Sequence, residues 1–241
     1  LNQFVYYTTK RCRADVLSEH TVGKAKLTGK RGAVMAVMTA EGTCEGAHSV
    51  VRKVILYDAI PRIDIVNEVD KKGAPYFYAQ DEEGFFTFPL RMEEFELRHE
   101  MPAGDVRPHG SADGSDPMQE QFHRSCTEHY HVNRWIDVSD RKNYGIMLSP
   151  VDAPLVQYGQ RTSFQKKHDY TAEKPWIFSY VFNNKWFTNF PKTQPGPVTF
   201  HYSIAARNGR NWKEGRADRF GWEVSAPLAA SVIREEQSGH L

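Results

Sequence analysis

Alternation of apolar and polar residues with a period of two constrains the fold of this chain more than any other feature of its sequence. Side chains of a strand point to opposite faces in turn, so this period predicts strands with one face on a core and the other in water. The clearest runs are Ile63, Ile65 and Val69; Phe86, Phe88 and Leu90; and Val198, Phe200, Tyr202 and Ile204. A further run predicts an aromatic stripe along one strand face, formed by Trp176, Phe178, Tyr180 and Phe182.

Turn-forming residues separate these runs at intervals that suit a large antiparallel β-sandwich. They cluster at residues 72–75, 83–84, 143–145 and 194–197. Two stretches break the pattern. Residues 102–117 are rich in Pro, Gly, Ser and Asp and predict a long surface loop. Residues 212–224 have apolar side chains at helical spacing, with Pro227 beyond them, and predict one short helix.

Length and composition indicate one folded domain spanning residues 1–241. The chain has 241 residues, of which 40% are hydrophobic and 12% aromatic, enough for a sizeable core. Because it begins at Leu1 with strand-like residues, we expect a piece of a longer protein. The 31 basic and 30 acidic residues leave a net charge of +1, which favours a neutral partner over nucleic acid or an anionic membrane.

Neither a membrane span nor a disulfide framework is predicted. The longest small and apolar run, Gly32 to Met38, is far shorter than the roughly 20 residues that a bilayer-spanning helix needs. Cys12, Cys44 and Cys126 are odd in number and widely spaced, so we expect small buried hydrophobic side chains. The odd count slightly favours the cytoplasm, and no signal peptide is visible.

One group of residues has spacing typical of metal ligands, namely His123, Cys126, His129 and His131. A structural zinc site normally needs a second, distant pair of ligands, and residues 129–138 alternate as a strand does. We therefore predict polar residues at a loop-to-strand junction, with no metal and no cofactor in this chain.

Three carboxylates at predicted strand ends, Asp137, Asp140 and Asp152, are candidates for an acid and base pair of the glycosidase kind. Aspartates at such positions commonly accept hydrogen bonds from nearby backbone N–H groups. We favour that structural role and assign no catalytic residue. Common nucleotide-binding, hydrolase and metalloprotease motifs are also missing from the sequence.

The segment from Asn183 to Asn189 is the best candidate for binding a carbohydrate. Its amides and hydroxyl can pair with sugar hydroxyls, and an indole ring can stack on the apolar face of a sugar. The candidate residues are Asn183, Asn184, Trp186, Thr188 and Asn189. An equally weighted alternative is that the asparagines cap the backbone of a tight connection and Trp186 belongs to the core.

Six motifs follow one another along the chain, at residues 54–64, 85–89, 132–139, 148–155, 183–189 and 196–202. Together and in this order they resemble the C-terminal β-domain of family 38 glycoside hydrolases, the α-mannosidases and their bacterial relatives. The likeness runs from about Ser49 to Ala226. Relatives tend to have an Asp-Gln-x-Pro-Gly-Ser stretch before the strand that contains Trp135, where this chain has residues 120–125.

The resemblance implies an all-β supersandwich of the galactose-mutarotase-like type. In that family the domain follows an α/β barrel and a helical bundle, and the nucleophile and zinc ligands belong largely to the barrel. This chain would then be a non-catalytic accessory domain that packs on the catalytic domain and helps to shape a cleft for a mannoside-type carbohydrate. An autonomous mutarotase-like or polysaccharide-lyase-like enzyme and a purely structural domain remain the alternatives.

Overall fold

The computed structural model describes residues 1–11, 13–73, 80–102, 104–108, 126, 128–163, 172–185, 193–226 and 228. These residues form fifteen strands and one helix. The strands are β1 (Gln3–Lys10), β2 (Val16–Thr21), β3 (Lys26–Arg31), β4 (Met35–Cys44), β5 (Ala47–Tyr57), β6 (Ile63–Lys71), β7 (Gln80–Pro89), β8 (Glu96–Met101), β9 (Gly104–Val106), β10 (Tyr130–His131), β11 (Ile136–Ser139), β12 (Tyr144–Pro150), β13 (Leu155–Tyr158), β14 (Trp176–Asn183) and β15 (Gly196–Asn208). The helix is α1 (Ala217–Ser225).

The strands form two antiparallel sheets. One has six strands in the order β10-β13-β14-β7-β1-β2, and the other has nine in the order β3-β4-β5-β6-β15-β12-β11-β8-β9. The main hydrophobic core contains buried residues of both sheets, such as Phe4 and Phe86 from the smaller and Ile65 and Tyr202 from the larger. The predicted all-β sandwich is therefore confirmed.

Strand alternation predicted the inward faces of several strands correctly. Ile65, Val69, Phe86, Phe88 and Leu90 all belong to the main core. So do Phe200, Tyr202 and Ile204, while Ile63 and Val198 pack against it. The antiparallel register explains this agreement, because directly paired residues such as Tyr202 and Ile65 point to the same face.

The aromatic stripe of β14 is interrupted, which corrects the prediction of a single continuous face. The pairing of β14 with β7 changes register between Tyr180 and Phe182. Such a β-bulge adds one residue and reverses the alternation beyond it. Phe178 and Tyr180 consequently lie in a second cluster with Val5, Tyr7 and Phe85, whereas Phe182 packs in the main core.

Two further sequence interpretations were wrong in detail. Glu83 and Gly84, taken as a turn, lie inside β7, where a Cβ on residue 84 would come within 2.8 Å of the Phe182 ring. Residues 129–138 contain two short strands, β10 and β11, that belong to different sheets. Residues 104–106 of the expected loop form β9, and most of the remainder up to residue 117 lies outside the described residues.

Helix α1 confirms that a short helix forms in the predicted stretch, but it begins at Ala217, so residues 212–216 precede it. The helix packs on the larger sheet. Its buried Ala217 and Phe220 share a cluster with Trp135, Met147 and Ala205. At nine residues, α1 is too short to cross a bilayer, and no other helix occurs among the described residues. Cys44 is buried as expected, but Cys126 is exposed, and Cys12 lies outside the described residues.

Candidate functional site

Three consecutive carboxylates on β7 are almost completely withdrawn from solvent. Asp81 and Glu83 are 0% exposed and Glu82 is 4% exposed. An isolated buried carboxylate is strongly disfavoured, so such groups need partners. Three basic side chains reach this strand from elsewhere in the chain, namely Lys71, Arg161 and Lys185. We call these six residues the β7 charge cluster; their formal charges cancel.

Glu82 faces the interior of the sandwich and links the two sheets. It accepts hydrogen bonds from the Tyr6 hydroxyl and from the Asn184 side-chain amide. Lys71, on β6 of the opposite sheet, places its Nζ 3.2 Å from Glu82 Oε2 and donates to its neighbour's carbonyl oxygen at 3.0 Å. Glu82 thus joins the middle of β1, the end of β6 and the segment after β14.

Glu83 points to the outer face of the smaller sheet, because successive residues of a strand alternate. Lys185 Nζ lies 3.1 Å from its Oε1, the Tyr180 hydroxyl donates to the same oxygen at 3.1 Å, and Arg161 pairs with the other oxygen. Lys185 Nζ also donates to the Thr9 hydroxyl at 3.0 Å. A carboxylate with three donors is satisfied despite complete burial.

A polar network next to the cluster centres on Gln157 of β13. Its side-chain Nε2 donates to Ser163 Oγ at 2.7 Å and lies 2.8 Å from His129 Nε2, while its Oε1 accepts the Thr162 N–H at 2.8 Å. The His129 ring stacks on Tyr180, with ring centroids 5.3 Å apart. Residues 157–163 are thereby fixed beside Glu83.

Burial is the main cause of the shifted pKa values in this region. It raises the pKa of the Tyr180 hydroxyl well above its usual value, and the neighbouring Glu83 carboxylate adds to this effect. It lowers the pKa of the Lys185 ammonium, an effect that Glu83 opposes. It likewise lowers the pKa of His129, opposed by Glu128 and Glu83. Tyr180 therefore stays protonated and acts as a hydrogen-bond donor.

Two of the five candidate carbohydrate-binding residues lie within the described residues, and both fix the backbone. Asn183 is exposed and its Oδ1 accepts the Lys185 N–H at 3.0 Å. Asn184 is buried, and its side-chain Nδ2 donates a hydrogen bond to the Glu82 carboxylate. Its backbone N–H donates to the Glu82 carbonyl oxygen at 3.0 Å. Trp186, Thr188 and Asn189 lie outside the described residues.

The residues with metal-like spacing are dispersed among different surroundings. His129 packs against Tyr180, His131 of β10 is exposed, and Cys126 is exposed. His123 lies outside the described residues. Within the part of the chain that the structure describes, no group of three metal-ligating side chains is found.

The three strand-end aspartates have three different surroundings. Asp140 accepts the backbone N–H groups of Lys142, Asn143 and Tyr144 at 2.8–3.1 Å, the predicted turn role. Asp137 is buried and forms two 2.6 Å hydrogen bonds with Arg207. Burial raises the pKa of Asp137, and the Arg207 guanidinium opposes that shift.

Asp152 is the aspartate with a histidine partner. Its Oδ2 accepts the backbone N–H of His201 at 2.8 Å and lies 2.5 Å from the Nδ1 of the same residue. The two side chains are 39% and 50% exposed, respectively. This is a solvent-accessible pair of groups that can exchange a proton.

Sequence reasoning missed the β7 charge cluster. Its partners are far apart in the chain: Glu83 is separated from Arg161 by 78 residues, and Glu82 from Asn184 by 102. The sequence did contain one local signal for the cluster, because Asp81, Glu82 and Glu83 stand just before the strand-like residues 85–88. Reading residues 80–89 as one strand would have predicted alternate carboxylates on its two faces.

Comparison with known proteins gives matches among solved structures alone. No protein-family model matches the chain, and no curated protein matches it. An alpha-mannosidase from Enterococcus faecalis V583 is similar with a TM-score of 0.62 at 11% identity, covering 98% of this chain and 29% of that chain. A glycosyl hydrolase family 38 protein from Enterococcus faecalis gives 0.61 at 10% identity, covering 97% of this chain and 30% of that one.

These two matches bear out the family 38 resemblance at the level of the fold. They also extend it, because coverage of 97–98% includes most of the 48 residues before Ser49. The chain spans less than a third of the length of either structure. It therefore has the fold of one part of a family 38 glycoside hydrolase chain.

Proposed function

We propose that this chain is an accessory β-domain of an α-mannosidase-like glycoside hydrolase. In this proposal it packs on a catalytic domain and helps to shape a cleft for a mannoside-type carbohydrate. The observation that carries the proposal is the fold match, which covers 98% of this chain but 29% of an alpha-mannosidase chain. The zinc site and the nucleophile would belong to the catalytic domain.

An exposed apolar surface on the larger sheet supports packing against another domain. Buried Ile65 on β6 pairs with Val54 on β5, which pairs with Met38 on β4. In the same way, buried Asn67 pairs with Arg52, Arg52 with Ala40, and Ala40 with Leu27 on β3. Paired residues share a face, so Met38 and Leu27 point to the same side as the core. Yet Met38 is 52% and Leu27 is 66% exposed.

We call the surface formed by Leu27, Met38 and Leu56 the β3–β5 apolar surface; Leu56 is 48% exposed. Contiguous apolar patches on a folded domain commonly mark interaction sites. The same sheet face is covered at β6 and uncovered at β3 and β4, so a partner docking here would extend the core. A catalytic domain of the same polypeptide fits this surface best, because the similar structures continue well beyond the matched segment.

The contacts of Asn183 and Asn184 support a role for the segment that follows them. Asn184 and Lys185 bind the two buried glutamates, which fixes the chain immediately before Trp186. A loop on a rigid scaffold is a common place for binding groups. Trp186 would serve as the stacking platform of the cleft, with Thr188 and Asn189 beside it.

The packing proposal is tested by hydrogen exchange in the complete polypeptide and in the isolated chain. We expect amides of β3 and β4 to exchange more slowly in the complete protein, and aryl α-mannosidase activity to occur there but not in the isolated chain. Met38→Asp should abolish that protection, whereas Thr39→Asp, on the opposite strand face, should keep it. Turnover of an α-mannoside by the isolated chain would contradict the proposal.

The cleft proposal is tested with Trp186→Ala in the complete enzyme. Loss of a stacking contact should reduce kcat/KM by an amount equivalent to about 1–3 kcal/mol, with the thermal midpoint nearly unchanged. If Trp186 belongs to the core, truncation should instead cost roughly 3–5 kcal/mol of stability. An unchanged rate with a collapsed midpoint would overturn the site assignment.

The His201–Asp152 pair favours a second candidate, an autonomous enzyme on the same fold. An exposed imidazole 2.5 Å from a carboxylate is suited to proton transfer, the chemistry of mutarotases and polysaccharide lyases. If the isolated chain anomerises a free sugar and His201→Gln abolishes that activity, the result would support an autonomous enzyme in place of the accessory role.

A further inference from the structure

The larger sheet ends in an uncovered strand, β3. Among the described strands, β3 pairs with β4 and with no other, and all six of its residues, Lys26–Arg31, are exposed. An edge strand presents a row of backbone N–H and C=O groups to solvent, and another extended segment can pair with that row. We call the row of outward backbone groups the β3 edge.

The hydrogen bond that closes the β3–β4 turn identifies which residues form the β3 edge. Gly32 N–H donates to the Met35 carbonyl oxygen at 2.8 Å, so these residues form a hydrogen-bonded pair. Hydrogen-bonded and non-hydrogen-bonded pairs alternate along an antiparallel ladder, and the register between β3 and β4 has no shift. The N–H and C=O groups of Leu27, Gly29 and Arg31 therefore point away from β4.

The other side of β4 agrees with this arrangement. Asp58 N–H donates to the Val34 carbonyl oxygen at 3.0 Å, so the backbone groups of Val34 and of alternate residues after it point to β5. The residues between them point to β3. Within the described part of the chain, no hydrogen bond beyond the sheet ladders involves Leu27, Gly29 or Arg31. The β3 edge is thus both accessible and unpaired.

The side chains around the β3 edge are basic. Residues 22–36 contain four basic residues and no acidic one. None of the four forms an ion pair within the part of the chain that the structure describes, and Glu41, opposite Lys26 on β4, is the acidic residue nearest in register. The four basic residues are Lys24, Lys26, Lys30 and Arg31.

Charge determines which kind of segment can pair at the β3 edge. Lysines on an edge strand oppose self-association, because β3 of a second copy would bring like charges together. The same lysines favour a segment with carboxylates. A Cβ at Gly29 would have the Val37 carbonyl oxygen, 3.9 Å away, as its nearest contact, so a large side chain has room beside this residue.

We infer that the β3 edge binds an extended acidic segment of a partner, which adds an antiparallel strand to the larger sheet. Main-chain hydrogen bonds to Leu27, Gly29 and Arg31 supply the pairing, and the basic side chains select for carboxylates. Lys26 and Lys30 lie on the outer face of the sheet, whereas Arg31 lies on the inner face with Leu27. The inference goes beyond the proposed function, because it does not depend on the chain belonging to a mannosidase.

The test uses the peptide acetyl-Glu-Glu-Phe-Thr-Val-Glu-amide, designed to pair in order with residues 31 to 26. Its glutamates then face Arg31, Lys30 and Lys26, and its Phe faces Gly29. NMR titration of the isotope-labelled chain should show saturable shifts, with a Kd of about 1 mM, that are largest at the amides of Leu27, Gly29 and Arg31. Exchange of those amides with solvent should slow when the peptide is bound.

Two methylated peptides test whether the backbone is used. N-methylation of the Phe removes the amide that points to Gly29, and binding should be lost. N-methylation of the Thr blocks an amide on the far side of the peptide, and binding should be kept. Equal binding of both methylated peptides would mean that charge alone attracts the peptide, as it would any polyanion, and the inference would fall.

A charge exchange tests the selection for acidic partners. The analogue with Lys in place of every Glu should not bind the unmodified chain. Lys30→Glu combined with Arg31→Glu should reverse this preference; these positions lie opposite Val37 and Ala36, so the substitutions bring no carboxylate of β4 into register. Equal responses of the unmodified chain to the acidic and basic peptides, or no response of β3 to the acidic one, would overturn the inference.

Discussion

The β7 charge cluster and the pair of asparagines Asn2 and Asn67 are both almost completely buried, but their polar atoms differ in how many partners they have. In the cluster, Glu82 and Glu83 accept six hydrogen bonds or ion pairs from surrounding side chains. The side-chain amides of Asn2 and Asn67, by contrast, have no partner within the described part of the chain. The cluster is satisfied by the chain itself, whereas the two carboxamides are not.

This difference indicates which buried polar residues stabilise the fold and which lower its stability. A satisfied network makes the structure unique and rigid, and losing one member leaves the others uncompensated. An unsatisfied buried amide lowers the free energy of unfolding, so replacing it by an apolar side chain of similar size can raise that free energy. Substitutions in the two regions should therefore have opposite signs.

The largest expected effect is at Glu83. Glu83→Ala leaves Lys185 and Arg161 buried without their shared carboxylate, so we expect a loss of about 3–5 kcal/mol in the free energy of unfolding. Chemical denaturation of the purified chain measures it. Glu223→Ala in α1 is the matched control, because it removes an exposed carboxylate paired with Arg219 and should cost no more than about 0.5 kcal/mol. Equal losses in the two variants would show that the cluster contributes nothing beyond a surface pair.

A smaller loss of stability is expected when one methyl group is added at Gly84, next to the cluster. At Gly84 a Cβ would lie 2.8 Å from the Phe182 ring and 3.4 Å from the Phe4 ring, so Gly84→Ala should cost about 1–3 kcal/mol through overpacking. Ala40 lines a cavity of about 300 Å³ beside Phe4 and Phe86, where space is free. Ala40→Val should therefore change stability by less than about 0.5 kcal/mol. If both variants lose stability equally, the cavity is already filled by the chain.

The contrast between the two regions also explains what the sequence could predict. Alternation is a local property, so it identified the inward faces of β6, β7 and β15. It failed where the backbone departs from regular pairing: the bulge between Tyr180 and Phe182 reverses the face, and Gly84 resembles a turn residue although ring packing requires it.

The site was less predictable, because its groups come together through pairings between distant strands. Nothing in the neighbourhood of Lys185 or Arg161 in the sequence indicates that both meet Glu83. The burial of Asn2 and Asn67 has the same origin, since Asn2 precedes β1 of the smaller sheet and Asn67 lies on β6 of the larger. Asn184 was selected as a candidate for carbohydrate binding, and the fold shows that its side-chain amide donates to Glu82.

The smallest expected effect is a dependence of stability on pH that originates at His129, next to the β7 charge cluster. Burial lowers the pKa of His129 below its unperturbed value of 6.5, and the nearby Lys185 and Arg161 charges act in the same direction, while Glu128 and Glu83 oppose it. With a lower pKa in the folded state, the unfolded chain binds the proton first as pH falls. Stability due to His129 is therefore complete above about pH 6.5 and declines as pH falls towards the pKa in the folded state.

This decline cannot exceed about 1.4 kcal/mol per pH unit, the limit for one proton. We expect His129→Gln to reduce the slope of unfolding free energy between pH 7 and pH 5, measured by denaturation at each pH. Asn67→Leu should leave the slope as it is, because the buried carboxamide that it removes does not titrate. A His129→Gln slope equal to that of the unmodified chain would mean that His129 is solvated in the folded protein, and that the stacking on Tyr180 does not persist in solution.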